Sequence, residues 1–77
     1  MKINSINCGY EYYQVEETTI EVRKKDYQIT EIDECDKVDG KLGTNFHGFA
    51  LYSNKIVIGF VPYDAVTLIT YEVENVD

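Results

Sequence analysis

The chain predicts an all-β domain, with at most a short helical turn, and three observations carry that reading. Ile, Val and Thr fill 22 of its 77 positions and Tyr fills 7, against 5 for Leu and Ala together. Branched and aromatic side chains pack well on a pleated surface and lose rotamer freedom in a helix. Residues 56–61 form a run apolar on both faces that ends at the only proline, Pro62, and an alternating stretch follows. A doubly apolar run reads as a central strand and alternation as a half-buried one. Polar pairs also recur between short alternating runs. The expected architecture is a small antiparallel barrel or rolled sheet of five to six strands.

Taken in order, residues 10–15 read as a strand with Tyr10 and Tyr12 on one face and Tyr13 and Val15 on the other. Glu16 and Glu17 make a turn. Residues 18–24 alternate, with Ile20 and Val22 inward and Glu21 and Arg23 outward. Lys25 and Asp26 form the next expected turn, and residues 27–32 the next strand, with a bulge or strand end near Glu31 because Ile32 falls off the register of Tyr27 and Ile29. Residues 33–43 read as the one long polar connection, containing the turn pair Asp39 and Gly40. Residues 44–52 resume strand character, Ser53 and Asn54 turn the chain, and residues 56–61 and 65–73 form the last two strands. The expected core is Ile20, Val22, Ile29, Phe46, Ile56, Ile58, Phe60, Val66 and Leu68 or Ile69.

The segment Gly59-Phe-Val-Pro-Tyr-Asp-Ala-Val66 resembles the closing segment of SH3-like barrels. In those domains a Gly-aromatic-aliphatic-Pro strand end enters one 3₁₀ turn and a final strand, and Sm-like barrels also have a short turn before the last strand. The resemblance covers eight residues of the chain. It implies SH3-like or Sm-like architecture and no ligand class. There is no tryptophan, and Ala65 stands where the groove tyrosine of a peptide-binding SH3 domain would be.

Seventy-seven residues make a single domain, 1–77, with a small core and little room for a deep cleft. Fourteen acidic residues against seven basic ones give a net charge of −7. A field of that sign repels phosphate backbones and anionic membranes and favours basic partners. Direct nucleic-acid binding and membrane binding are therefore disfavoured. The opening residues lead into no apolar h-region and no stretch is long enough for a membrane helix, which predicts a cytoplasmic protein with reduced thiols. A disulfide between Cys8 and Cys35 depends on a separation that sequence does not fix.

No motif selects an enzyme. GxGxxG, Walker A, GxSxG and HExxH are all absent. Cys8, Cys35 and His47 are the only soft ligands and lack the paired spacing of a zinc site, so no metal and no cofactor is expected. An acidic setting disfavours the Cys35 thiolate, and His47 reads as a strand-surface or barrel-rim residue. The densest cluster is Glu31, Asp33, Glu34, Asp36 and Asp39, beside Gly40. Counting back from that glycine, the alternating positions are Asp39, Lys37 and Cys35, so the calcium-loop pattern fails.

What remains is binding. A carboxylate cluster steers basic partners, and tyrosine supplies rigid contact area at interfaces. Tyr12 and Tyr13 must point to opposite faces of any strand that holds both, and Tyr63 follows the proline turn. The expected partner-binding residues are Glu31, Asp33, Glu34, Asp36, Asp39, Tyr12, Tyr13 and Tyr63. The expected function is a non-catalytic acidic module, an inhibitor or adaptor that covers a basic surface such as that of a nucleic-acid-binding protein. Small acidic proteins of phages and mobile elements act so by imitating nucleic-acid charge. Two alternatives stand beside it: an oligomeric barrel that binds a small, nucleotide-like ligand, and a structural subunit that pairs strand edges with copies of itself.

Overall fold

Two tight turns of the same kind set the register of two of the hairpins. Arg23 and Lys24 have φ of 52° and 68°, and Asn54 and Lys55 have φ of 47° and 71°. Two central residues with positive φ make a type I′ turn, whose twist matches that of the strands it joins. The turns sit close to where the polar pairs suggested, the first two residues earlier, at Arg23 and Lys24 rather than Lys25 and Asp26, and the second one residue later, at Asn54 and Lys55 rather than Ser53 and Asn54. Asparagine tolerates the left-handed region; Arg23 and Lys24 occupy it only because the flanking pair Val22 and Lys25 closes the hairpin.

The computed structural model describes residues 1–39 and 44–73, and the side chains of 37–39 and 44–46 lie outside that description. The described residues form eight strands: β1 (Ile3–Asn7), β2 (Tyr12–Gln14), β3 (Thr19–Val22), β4 (Lys25–Gln28), β5 (Glu31–Asp39), β6 (Thr44–Ser53), β7 (Ile56–Pro62) and β8 (Leu68–Tyr71). A 3₁₀ turn over Tyr63–Ala65 joins β7 to β8, and the described residues include no α-helix. The chain is thus all-β. Its strands make three antiparallel sheets, ordered β2-β1-β8, β3-β4 and β5-β6-β7, and these described strands form no closed barrel.

The expected polar connection over 33–43 is corrected. Its first part continues β5, which pairs with β6 residue by residue from Glu31 opposite Tyr52 to Asp39 opposite Thr44. Ile32, Cys35 and Val38 recur every third residue instead of every second, so no alternation marks the strand in sequence. The expected turn at Asp39 and Gly40 falls outside the described residues. β1 was also unread: Asn4 and Ser5 interrupt its apolar pair, yet Ser5 is buried and meets Thr70 of β8 hydroxyl to hydroxyl at 2.5 Å.

The core consists of Ile3, Ile6, Ile29, Ile32, Phe49, Leu51 and Val61. Ile29 was expected there. Ile20, Ile58, Val66 and Ile69 are half-buried and pack against this core, and Val22 is half-buried. Ile56, Phe60 and Leu68 are exposed, at 62, 51 and 59%. The reason for the correction is topological. β7 is an outer strand of its sheet, and β6, in the centre, buries Phe49, Ala50 and Leu51 in succession. Phe46 falls outside the described side chains. Gly48 is required where β6 meets the end of β7, since a Cβ there would lie 2.1 Å from the Val61 carbonyl oxygen and 2.8 Å from Pro62 Cα.

Candidate protein-binding site

Strand alternation divides the acidic cluster between two faces. Directly paired residues of an antiparallel ladder project to the same side. Ile32, Glu34 and Asp36 therefore share a face with Leu51, Phe49 and His47, while Glu31, Asp33 and Cys35 share the other with Tyr52, Ala50 and Gly48. All four carboxylate residues are exposed.

On the first face the apolar core ends in a polar corner. Phe49 is buried, and Tyr63 from the 3₁₀ turn stands edge-on to it, with ring centroids 5.1 Å apart and planes at 85°. The Tyr63 hydroxyl donates a long hydrogen bond, 3.4 Å, to the Glu34 carboxylate. Partial loss of water around the phenol, followed by the negative charge of Glu34, pushes its pKa up. One pairing step along, His47 Nδ1 lies 2.6 Å from Asp36 Oδ1, with both side chains more than half exposed. Glu34, Asp36 and Tyr63 thus come together, and His47 joins them.

On the second face Glu31 and Asp33 stand two residues apart on one side of the strand. Hydrogen bonding to Asp33, then repulsion by its charge, raises the Glu31 carboxyl above its ordinary value; Lys2 and Lys55 pull it the other way. At this end of β5 a groove of about 180 Å³ runs between the strand and the chain around Ile3, Val15 and Glu72. Its polar lining includes four carboxylates, Glu16, Glu31, Asp33 and Glu72, and one cation, Lys2.

Tyr12 and Tyr13 lie elsewhere. Both sit on β2, an outer strand of another sheet. Tyr12 is exposed and donates to Gln14 Oε1 at 3.2 Å; Tyr13 is half-buried against the core and donates to Glu11. That bond, with burial, pushes the Tyr13 phenol up to about 12. Tyr13 also lines a groove of about 220 Å³ with Cys8, Tyr10, Phe60, Pro62 and Ala65. The Cys8 thiol is pushed up by burial and by Glu11. Asp39 closes β5 opposite Thr44, and its side chain lies outside the described residues.

Reading from sequence missed the partnership of Asp36 with His47, and it missed Lys2, Glu16 and Glu72 at the groove. The first was within reach, because folding the chain symmetrically about Gly40 to Gly43 sets residue 36 opposite 47. The groove residues come from three distant segments and carry no local signal. Cys35 pairs with Gly48, so it projects away from neighbouring His47, and thiol and imidazole do not meet. Cys8 and Cys35 are free thiols. Among the described residues no three His, Cys, Asp or Glu groups converge as metal ligands, and no helix is long and apolar enough to cross a membrane.

No protein-family model, no curated protein and no solved structure matches the chain.

Proposed function

We propose that the chain is a non-catalytic acidic protein-binding module, an inhibitor or adaptor whose β5 region covers a basic surface of a partner protein. One observation carries this. Glu31, Asp33, Glu34 and Asp36 are four exposed carboxylates within six residues of one outer strand, with no cation among those six and with Tyr63 beside them. Carboxylates held on a strand keep their spacing, whereas the same charges on a mobile loop would lose entropy on every encounter. Tyr63 adds a ring already ordered by Phe49, so its immobilisation costs little at binding. A nucleic-acid-binding protein offers a basic surface of the required sign. The reading also takes the setting to be cytoplasmic, where both thiols stay reduced. An SH3-like rolled arrangement stays part of the proposal, supported by the 3₁₀ turn at Tyr63–Ala65 between β7 and β8.

The test is capture from an extract of the native host on the immobilised chain, eluted with a salt gradient. A basic protein released at modest salt, and no longer retained by Glu34→Gln/Asp36→Asn, is the expected result. Retention of a small molecule, or of a protein indifferent to salt and to those substitutions, would contradict the reading.

A further inference from the structure

Resting on the reading above, the backbone of β5 goes further and says how a partner is held. β5 is an outer strand, paired only with β6 among the described residues. In the type I′ turn, Ser53 and Ile56 are the hydrogen-bonded pair, and the ladder alternates from there. Ser53, Leu51 and Phe49 then bond towards β7, and Tyr52, Ala50 and Gly48 towards β5. The Tyr52 carbonyl is in fact taken up on the β5 side, where it accepts from the Thr30 N–H at 2.8 Å. The opposing residues Glu31, Asp33 and Cys35 therefore turn their amides and carbonyls inward. Ile32, Glu34 and Asp36 turn theirs outward. Among the described residues no backbone bond outside the β5–β6 ladder reaches Glu34 or Asp36.

An open edge is a template for another strand, and its side chains decide which strand. A second copy of β5 would bring the same negative charge to the edge, where like charges repel. A strand bearing cations on both faces meets Glu34 and Asp36 on one side and Glu31 and Asp33 on the other. At the start of the same strand lies the groove where four carboxylates face the single cation Lys2. An incoming ammonium or guanidinium there relieves the repulsion between Glu31 and Asp33.

We propose that the outer edge of β5 takes an extended, lysine- or arginine-bearing segment of a partner protein as an added strand, with one cationic side chain entering the groove lined by Glu16, Glu31, Asp33 and Glu72.

The probe is a peptide of about eight residues, a typical strand length, in which pairs of lysines alternate with pairs of threonines so that both faces of the strand carry cations. Its control is the same peptide with every backbone amide N-methylated, which keeps every charge and removes the donors on both edges. The parent peptide should bind, slow hydrogen exchange at the Glu34 and Asp36 amides, and lose at least about tenfold in affinity on N-methylation, a difference of about 1.4 kcal/mol. Glu31→Gln/Asp33→Asn should weaken the parent by a similar factor, with the fold unchanged by circular dichroism. Equal binding of both peptides would leave the acidic-module reading standing and overturn strand addition. No binding of either at low salt would overturn both. Protection of the Glu34 and Asp36 amides that grows with protein concentration in the absence of peptide would assign the edge to a second copy and overturn the proposal.

Discussion

Tyr63 and Phe49 form an edge-to-face pair, at 5.1 Å and 85°, that ties the 3₁₀ turn after β7 to the centre of β6. The pair converts a surface ring into an ordered one. Its hydroxyl then reaches Glu34 on β5, so one side chain links two neighbouring strands of the sheet to the turn that leaves it. Tyr63→Ala should cost about 1 kcal/mol beyond the area lost, the usual worth of such an aromatic pair. Tyr63→Phe, which keeps the ring and drops a long hydrogen bond at an exposed carboxylate, should cost little. Urea denaturation of the two variants checks this; equal losses would mean that the hydroxyl, and not the ring contact, holds the turn.

Gly48 is the closest approach of β6 to the backbone leaving β7. With no room for a Cβ beside the Val61 carbonyl, Gly48→Ala must push the two strands apart. The expected loss is about 3 kcal/mol, the upper end for overpacking, because the obstructing atoms are backbone and cannot rotate away. The midpoint of denaturant unfolding reads it directly. An unchanged midpoint would show that the strands separate freely at this end.

The core makes a contrast between two isoleucines. Ile6 on β1 is fully buried, and Ile6→Ala should cost roughly 2–5 kcal/mol, enough to threaten a domain of this size. Ile58 on β7 is only half-buried, so Ile58→Ala should cost distinctly less than Ile6→Ala, although the sequence pattern marks Ile58 as the more central residue. Thermal melts of both variants decide the order, and a larger loss at Ile58 would contradict the burial of β1.

That contrast shows where sequence and fold part company. The alternation of Ile20 and Val22 is local and survives unchanged in β3. The turn after Pro62 is equally local and emerges as the 3₁₀ turn. The run over 56–61 misleads because apolarity on both faces signals a central strand only when neighbours lie on both sides, and strand order is not a local property. β5 hides for another reason. Its carboxylates occupy both faces, as an open edge permits, so neither face shows the apolar stripe by which a strand is recognised. The acidic cluster itself was plain, as was its proximity in sequence to nothing basic before Lys37. That it lies on a strand, faces both ways and is joined by Tyr63, and that Tyr12 and Tyr13 sit on another sheet, follows only from the register of β5 with β6 and the sheet order.

Glu31 and Asp33 supply a pH dependence. The folded-state value of Glu31 is raised, chiefly by Asp33, so the folded chain binds that proton more tightly than the unfolded chain. The stability linked to it is fully present below the unfolded value and is lost as pH rises through the folded one. Relative to Asp33→Asn, the native chain should therefore lose stability as pH climbs through and beyond the ordinary glutamate value of about 4.3. The side-chain carboxyl of Glu31, followed by NMR, should titrate lower in Asp33→Asn than in the native chain. No movement would mean that the two carboxyls are independent.

The central claim, that the carboxylates of β5 draw a basic protein partner onto this strand, is tested most directly by one rate. The association rate constant with the captured partner is measured across a series of salt concentrations, for the native chain and for Asp33→Asn/Glu34→Gln/Asp36→Asn. Steered association falls steeply as salt screens it, with a Debye length of about 10 Å at 0.1 M. The native chain should show that steep fall. The substituted chain, with an unchanged circular dichroism spectrum and melt, should associate more slowly at low salt and with a flatter slope. Identical rates and slopes for the two chains would contradict the account, leaving the acidic strand as a source of solubility alone.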